Sequence, residues 1–220
     1  MKKIIGLSLL ILASNASAGL IAEYDFRAAT GITQAATTVD TNFSASNLTL
    51  VNANNTVNAF SNHFYHDGWN TTINLNKYYE TTISSTATAF SLSTIGFSLE
   101  EISGQASDWA FRTSLDAFSA DVATGSFGGG VNAGLVTDFS VNLASLGTLT
   151  SPITMRWYMT ADSAAERAGF ATHLPGGSGG TLADVGQNLT INGSVSVPEP
   201  AVLSLLGLGL VGIGFSRKKK

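Results

Sequence analysis

Residues 20–26 read LIAEYDF, and their alternation decides the class of fold. In an extended chain successive side chains point to opposite faces. Leu20, Ala22, Tyr24 and Phe26 then share one face, and Glu23 and Asp25 share the other. The same period of two recurs in YYETTIS (78–84), STIGFSLE (93–100), DWAFRTS (108–114), LVTDFSVNL (135–143), ITMRWYMT (153–160) and QNLTINGSV (187–195). Gly, Asn, Ser and Thr, the residues of turns, separate these runs. Many short strands at this spacing predict an all-β fold, an antiparallel β-sandwich or jelly roll. Trp157 alternates with Met155 and Met159, and Trp109 with Phe111, so these side chains are expected in the core. Arg112 and Arg156 face the other way and are expected to pair with Asp108, Asp116 or Glu101. One brief helix is expected at residues 163–168, where Ser163 and Glu166 have capping-box spacing and Gly169 would stop it. The stretches GSFGGG (125–130) and PGGSGG (175–180) read as loops, and neither carries the Lys-Ser/Thr of a phosphate cradle.

Outside this body the sequence changes character. The 220 residues divide into a leader at 1–18, a single β-sandwich domain at 19–197 and a terminal segment at 198–220. The leader, MKKIIGLSLLILASNASA, has Lys2 and Lys3, a short apolar run and the small-residue site Ala16-Ser17-Ala18. That order predicts a Sec signal peptide cut after Ala18; the run is too short for a membrane helix. Between Gly19 and Val197, fourteen acidic residues stand against five basic ones, a net charge of −9. Such a surface repels phosphate backbones, so nucleic acid is not an expected partner. The chain has no cysteine, which excludes disulfides, thiol catalysis and Cys-ligated zinc.

The chain ends VPEPAVLSLLGLGLVGIGFSRKKK (197–220). Residues 201–215 carry no charge and as a helix would measure about 22 Å, short of a hydrocarbon core of about 30 Å. Gly207, Gly209, Gly212 and Gly214 weaken that helix, and Arg217, Lys218, Lys219 and Lys220 form a basic stop for the cytoplasmic side. Pro198 and Pro200 hold Glu199 in an extended segment ahead of it. This order of Pro-Glu-Pro, apolar run and basic tail resembles a PEP-CTERM sorting signal. The resemblance implies an exosortase as processing partner, after export by the Sec translocon and signal peptidase. It also implies an inner-membrane intermediate, followed by delivery to the cell surface or extracellular matrix of a Gram-negative bacterium. The body, through IAEYDF, WAFRTSLDAFS (109–119), ITMRWYM and LTINGSV, is similar to lectin-like and carbohydrate-binding β-sandwiches.

The densest chemistry lies in NHFYHDGWN (62–70). Tyr65 and Trp69 are the expected platform for sugar rings, with Trp69 expected exposed because it follows Gly68 outside any alternating run. His63, His66 and Asp67 are donor types that could ligate a metal, against the plainer reading of a polar aromatic loop. Loop residues Asp67, Asp116, Asp121 and Asp184 are of the kind that hold structural calcium, but no Asp-x-Asp-x-Asp-Gly loop gathers them, and no cofactor is expected. Catalysis is not expected either. Glu23-Tyr24-Asp25 is only a fragment of a glycosidase carboxylate cluster, Glu100 and Glu101 are strand neighbours facing opposite sides, and neither G-x-S-x-G nor H-E-x-x-H occurs. The expected function is thus a non-catalytic surface or matrix protein that associates with exopolysaccharide. The alternatives are a structural or adhesive protein without glycan binding, then a glycan-active enzyme, and last an ice-binding face, for which no T-x-T ladder exists.

Overall fold

The period-two runs become strands. The computed structural model describes residues 18–27, 31–52, 63–87, 89–101, 106–129, 135–162, 167–172 and 186–196, and among them are fifteen strands in two sheets. The first sheet runs β3 (Thr38–Val39), β1 (Gly19–Tyr24), β15 (Leu189–Val195), β8 (Phe90–Glu101), β14 (Ala168–Ala171) and β6 (His63–His66). The twelve-residue β8 is its spine: β15 and β14 share one of its edges, and β11 (Leu135–Asn142) and β12 (Thr148–Leu149) pair along the other. The second sheet runs β10 (Ala123–Gly128), β9 (Ala106–Thr113), β13 (Ile153–Met159), β7 (Tyr78–Ser85), β5 (Leu48–Val51) and β2 (Thr33–Gln34), with β4 (Phe43–Ala45) paired to β7. The strand pairings are antiparallel, as in a sandwich built from meanders and returns.

Aromatic side chains join the two sheets. Phe97 on β8 meets Trp109 on β9 with ring centroids 5.1 Å apart, and Phe170 on β14 meets Trp157 on β13 at 5.6 Å. Tyr79 on β7 meets Phe64 on β6 at 5.4 Å. Edge-to-face and tilted pairs of this kind add to the burial of large apolar area. One polar tie also crosses the interior. The Tyr24 hydroxyl donates to Ser46 O at 2.6 Å and lies 2.6 Å from Thr81 Oγ1; burial pushes its pKa up to about 12, with the Thr81 contact opposing. Trp109, Phe111, Met155, Trp157 and Met159 are buried as their alternation predicts.

Three expectations need correction. The face written LIAEYDF holds from Ala22 onward but fails at its start, because a register shift between Leu20 and Ala22 turns Ile21 inward and leaves Leu20 38% exposed. GSFGGG is not all loop: residues 125–128 belong to β10, with Phe127 buried and Gly125 pressed against the Trp109 indole. A Cβ at Gly125 would lie 2.7 Å from Trp109 Nε1, so this glycine serves packing rather than a turn. The helix expected at 163–168 does not reach its stop, since Ala168 and Gly169 open strand β14. Residues 163–166, the leader apart from Ala18, the 175–180 stretch and the terminal segment 198–220 lie outside the described residues.

Candidate functional site

Strand β6 separates the residues expected to act together. Its alternation puts His63 with Tyr65 (ring centroids 4.9 Å apart) and Phe64 with His66 (5.0 Å), on opposite faces. His66 points into the core, 1% exposed, with Nδ1 3.0 Å from the Tyr79 hydroxyl and Nε2 3.1 Å from Gly31 O. A carbonyl only accepts, so Nε2 carries the proton and Nδ1 of the neutral ring takes the Tyr79 proton. Burial holds the His66 pKa below its usual 6.5, against the opposing pull of the Gly31 carbonyl and the Asp67 charge. With both His66 nitrogens engaged and His63 on the far face, the candidate ligands His63, His66 and Asp67 do not converge. Among the described residues no three His, Asp or Glu side chains are placed to hold a metal ion.

Trp69 is not the exposed platform its flanking glycine suggested. It is 1% exposed, and its Nε1–H donates to Ala168 O at 2.9 Å. An indole whose one polar atom finds a main-chain acceptor can enter the core whole. Tyr65 is also buried, at 5% exposure. On its side of the sheet His63 Nε2 lies 2.7 Å from Glu100 Oε2, and the Arg167 guanidinium lies 6.0 Å from the Tyr65 ring centroid. Burial, then the Glu100 charge, raises the Tyr65 pKa. Neither ring face is open to a sugar. The loop aspartates are dispersed as well: Asp116 accepts from Ser119 and Ala120, Asp121 pairs with Arg112, and Asp184 lies outside the described residues.

The outer face of the second sheet carries a cluster that the sequence did not reveal. The Arg156 guanidinium sits 4.1 Å from the Tyr78 ring centroid and 3.7 Å from that of Phe118, with Nε 2.6 Å from Glu80 Oε2. Arg112 lies 5.4 Å over the Tyr158 ring, reaches Asp121 Oδ1 at 2.5 Å and donates to Phe118 O at 3.0 Å. These pairings replace the expected partners Asp108, Asp116 and Glu101. Ala117 and Phe118 have φ of 57° and 61°, two successive non-glycine residues in the left-handed region. Backbone of that kind persists only where its surroundings hold it, and here it brings Phe118 over Arg156. The available signal was register: Glu80, Arg156 and Arg112 are cross-strand neighbours.

The described body ends at the rim formed by β1 and β15. Gly19 of β1 is the register partner of Gly193 of β15, and register breaks on both sides of β15 there: against β1 between Leu20 and Ala22, and against β8 between Asn192 and Gly193. The last main-chain hydrogen bond of β15's run is Ser196 N–H to Ala89 O at 2.8 Å. An open groove of about 170 Å³ lies at this rim, lined by residues that include Leu20, Asp40, Asn42, Phe43, Gly193 and Val195. No curated protein matches the sequence. Residues 196–218, which begin on that last hydrogen-bonded serine, match the PEP-CTERM protein-sorting motif, which makes the chain an exported protein, processed by an exosortase and held transiently at the membrane before release.

Proposed function

We propose that this is a non-catalytic protein of the cell surface or extracellular matrix, whose β-sandwich associates with exopolysaccharide after exosortase processing. The observation that carries the reading is the sorting motif at 196–218, joined directly to an acidic, all-β body. Sec export through the leader at 1–18, and a final place at the surface of a Gram-negative cell, complete the same reading. The outer face of the second sheet supplies the contact chemistry. Tyr78 and Phe118 are half-buried rings, and Arg112 and Arg156 hold guanidinium donors beside Glu80 and Asp121. Sugars present C–H faces to aromatic rings and hydroxyls to such donors and acceptors.

The test is retention of a purified body, residues 19–197, on extracellular polysaccharide from the producing organism, beside a Phe118→Ala variant. Retention at physiological salt, weakened several-fold by the substitution, is the expected result. Passage of the wild-type body straight through would leave a structural or adhesive role, seen as lost cell aggregation when the protein is deleted. Retention that Phe118→Ala does not alter would keep glycan binding and discard this face.

A further inference from the structure

The junction of fold and motif limits how the motif can be read. Pro198 follows Val195 by three residues, at most about 10 Å of extended chain, while Val195 is paired with Phe90 and Ser196 is bonded to Ala89. Ala201, where the uncharged run begins, is five residues beyond Ser196, at most about 17 Å. An exosortase acting on Pro198–Pro200 therefore works within that distance of the rim. An enzyme that holds a substrate in an extended cleft grips residues on both sides of its recognition motif. Ser196 is still bonded to the sheet, and in the sequence a single residue, Val197, separates it from Pro198.

We propose that the rim made by the start of β1, residues 40–43 and the end of β15 is the surface presented to the exosortase, and that residues 193–196 leave the sheet to enter its cleft. The inference rests on the sorting reading and adds to it a partner surface and an opening step. The local structure is built for such release. Upstream of the break, Leu189 and Ile191 are fully buried, whereas beyond it come Gly193 and the half-buried Ser194 and Val195. The end is held by the Ser194 Oγ–Ser91 Oγ hydrogen bond at 3.4 Å, by the half-buried Val195 against the core, and by backbone bonds to β8 and to Ala89. Register breaks fall at this rim on both sides of β15, one skipping Ile21 of β1 and one skipping Ser93 of β8, and bulges disrupt the ladder locally. Leu20 and Val39 add exposed apolar surface, 38% and 37%, on β1 and β3 beside this rim.

Ser91 and Ser194 are direct cross-strand partners in a chain without cysteine, so Ser91→Cys with Ser194→Cys can lock the strand end by a disulfide. Full-length chains are expressed with a cognate exosortase, and conversion of precursor to the shortened form is followed by mass, with disulfide formation checked by thiol titration. The locked chain is expected to convert at least ten-fold more slowly. Reductant restores the wild-type rate, and so does a flexible Gly/Ser linker of about twelve residues placed after Ser196, which supplies upstream residues without opening the sheet. The linker alone, without cysteines, converts at the wild-type rate or faster. A locked chain that converts at the wild-type rate overturns the inference, as does a locked chain that the linker fails to rescue, or a linker chain that no longer converts. A wild-type chain that is never shortened, behaving like Glu199→Ala, sinks the sorting reading itself, and this inference with it.

Discussion

The two flanks of β8's partners in the first sheet are secured in different ways. At the β14–β6 margin, buried side chains tie the strands: Trp69 donates to Ala168 O, His66 donates to Gly31 O, and the Tyr79 hydroxyl donates to His66 Nδ1 at 3.0 Å. At the β1–β15 rim the last residues are held mainly by backbone bonds, with the Ser194–Ser91 hydroxyl pair and half-buried Val195 as their side-chain ties, and a register shift falls on each side of β15. The chemical difference is large. Opening the first margin would strand buried polar groups and expose Phe64, Trp69, Tyr79 and Phe170 together, whereas opening the rim exchanges a few backbone bonds for water at about 1 kcal/mol each and exposes one already half-buried side chain, Val195. One sheet thus keeps a fixed edge and a releasable one, and the sorting motif is joined to the releasable one.

The strongest way to break this comparison is Trp69→Ala. Removing a fully buried indole and its bond to Ala168 should cost about 3–5 kcal/mol in chemical denaturation. A loss under about 1 kcal/mol would mean that the β14–β6 margin is not the fixed edge. A paired substitution sharpens the contrast. At Gly169 a Cβ would lie 2.5 Å from Phe64 O, Tyr65 Cα and the Tyr79 hydroxyl, so Gly169→Ala meets backbone on one side and a pinned phenol on the other. At Gly193 a Cβ collides with Ser91 O and Ile21 Cδ1, but there the strand end can swing away. Gly169→Ala should cost about 2–3 kcal/mol globally and Gly193→Ala about 1 kcal/mol. Hydrogen exchange in the second variant should quicken at residues 193–196 and nowhere in β14. Equal global losses would erase the distinction between the margins.

Much of the sandwich was legible because its signal is local. Alternation in YYETTIS, DWAFRTS and ITMRWYMT reports burial residue by residue, and β7, β9 and β13 follow it. LIAEYDF misled only at Leu20, where the register shift depends on the pairing with Asn192 of β15, 172 residues away in sequence, and not on β1 itself. Trp69 misled for a similar reason. Gly68 beside it is a sound turn signal, and Gly68 does have φ of 82°, but the indole's destination was set by Ala168, a carbonyl 99 residues further along. The Tyr78–Arg156–Phe118 stack joins three distant segments, and no spacing in the sequence encodes it. The sorting motif is a linear signal read along the chain, so sequence alone identified it.

The smallest expected effect concerns pH and tests the fixed margin from within. His66 is held below its usual 6.5 by burial between Tyr79 of β7 and Gly31 O, with the Asp67 carboxylate opposing. A lowered histidine pKa means that the unfolded chain binds the proton more readily than the folded one. The stability this group contributes is therefore complete above about pH 6.5 and declines as pH falls toward the folded value, by at most about 1.4 kcal/mol per pH unit. Protonation would also change the hydrogen bonding: a doubly protonated ring donates to both Gly31 O and Tyr79, and the phenol must turn its single proton to Phe64 O or Ala168 O. Urea unfolding at pH 7.5, 6.5 and 5.5, for the wild type and His66→Gln, separates this contribution from that of the carboxylates, which the two proteins share. The wild type should be the more stable at pH 7.5, and its advantage should shrink at each step down. Parallel lines across the three values would mean that His66 is not held neutral by this edge, and that the margin owes its firmness to Trp69 and Tyr79 alone.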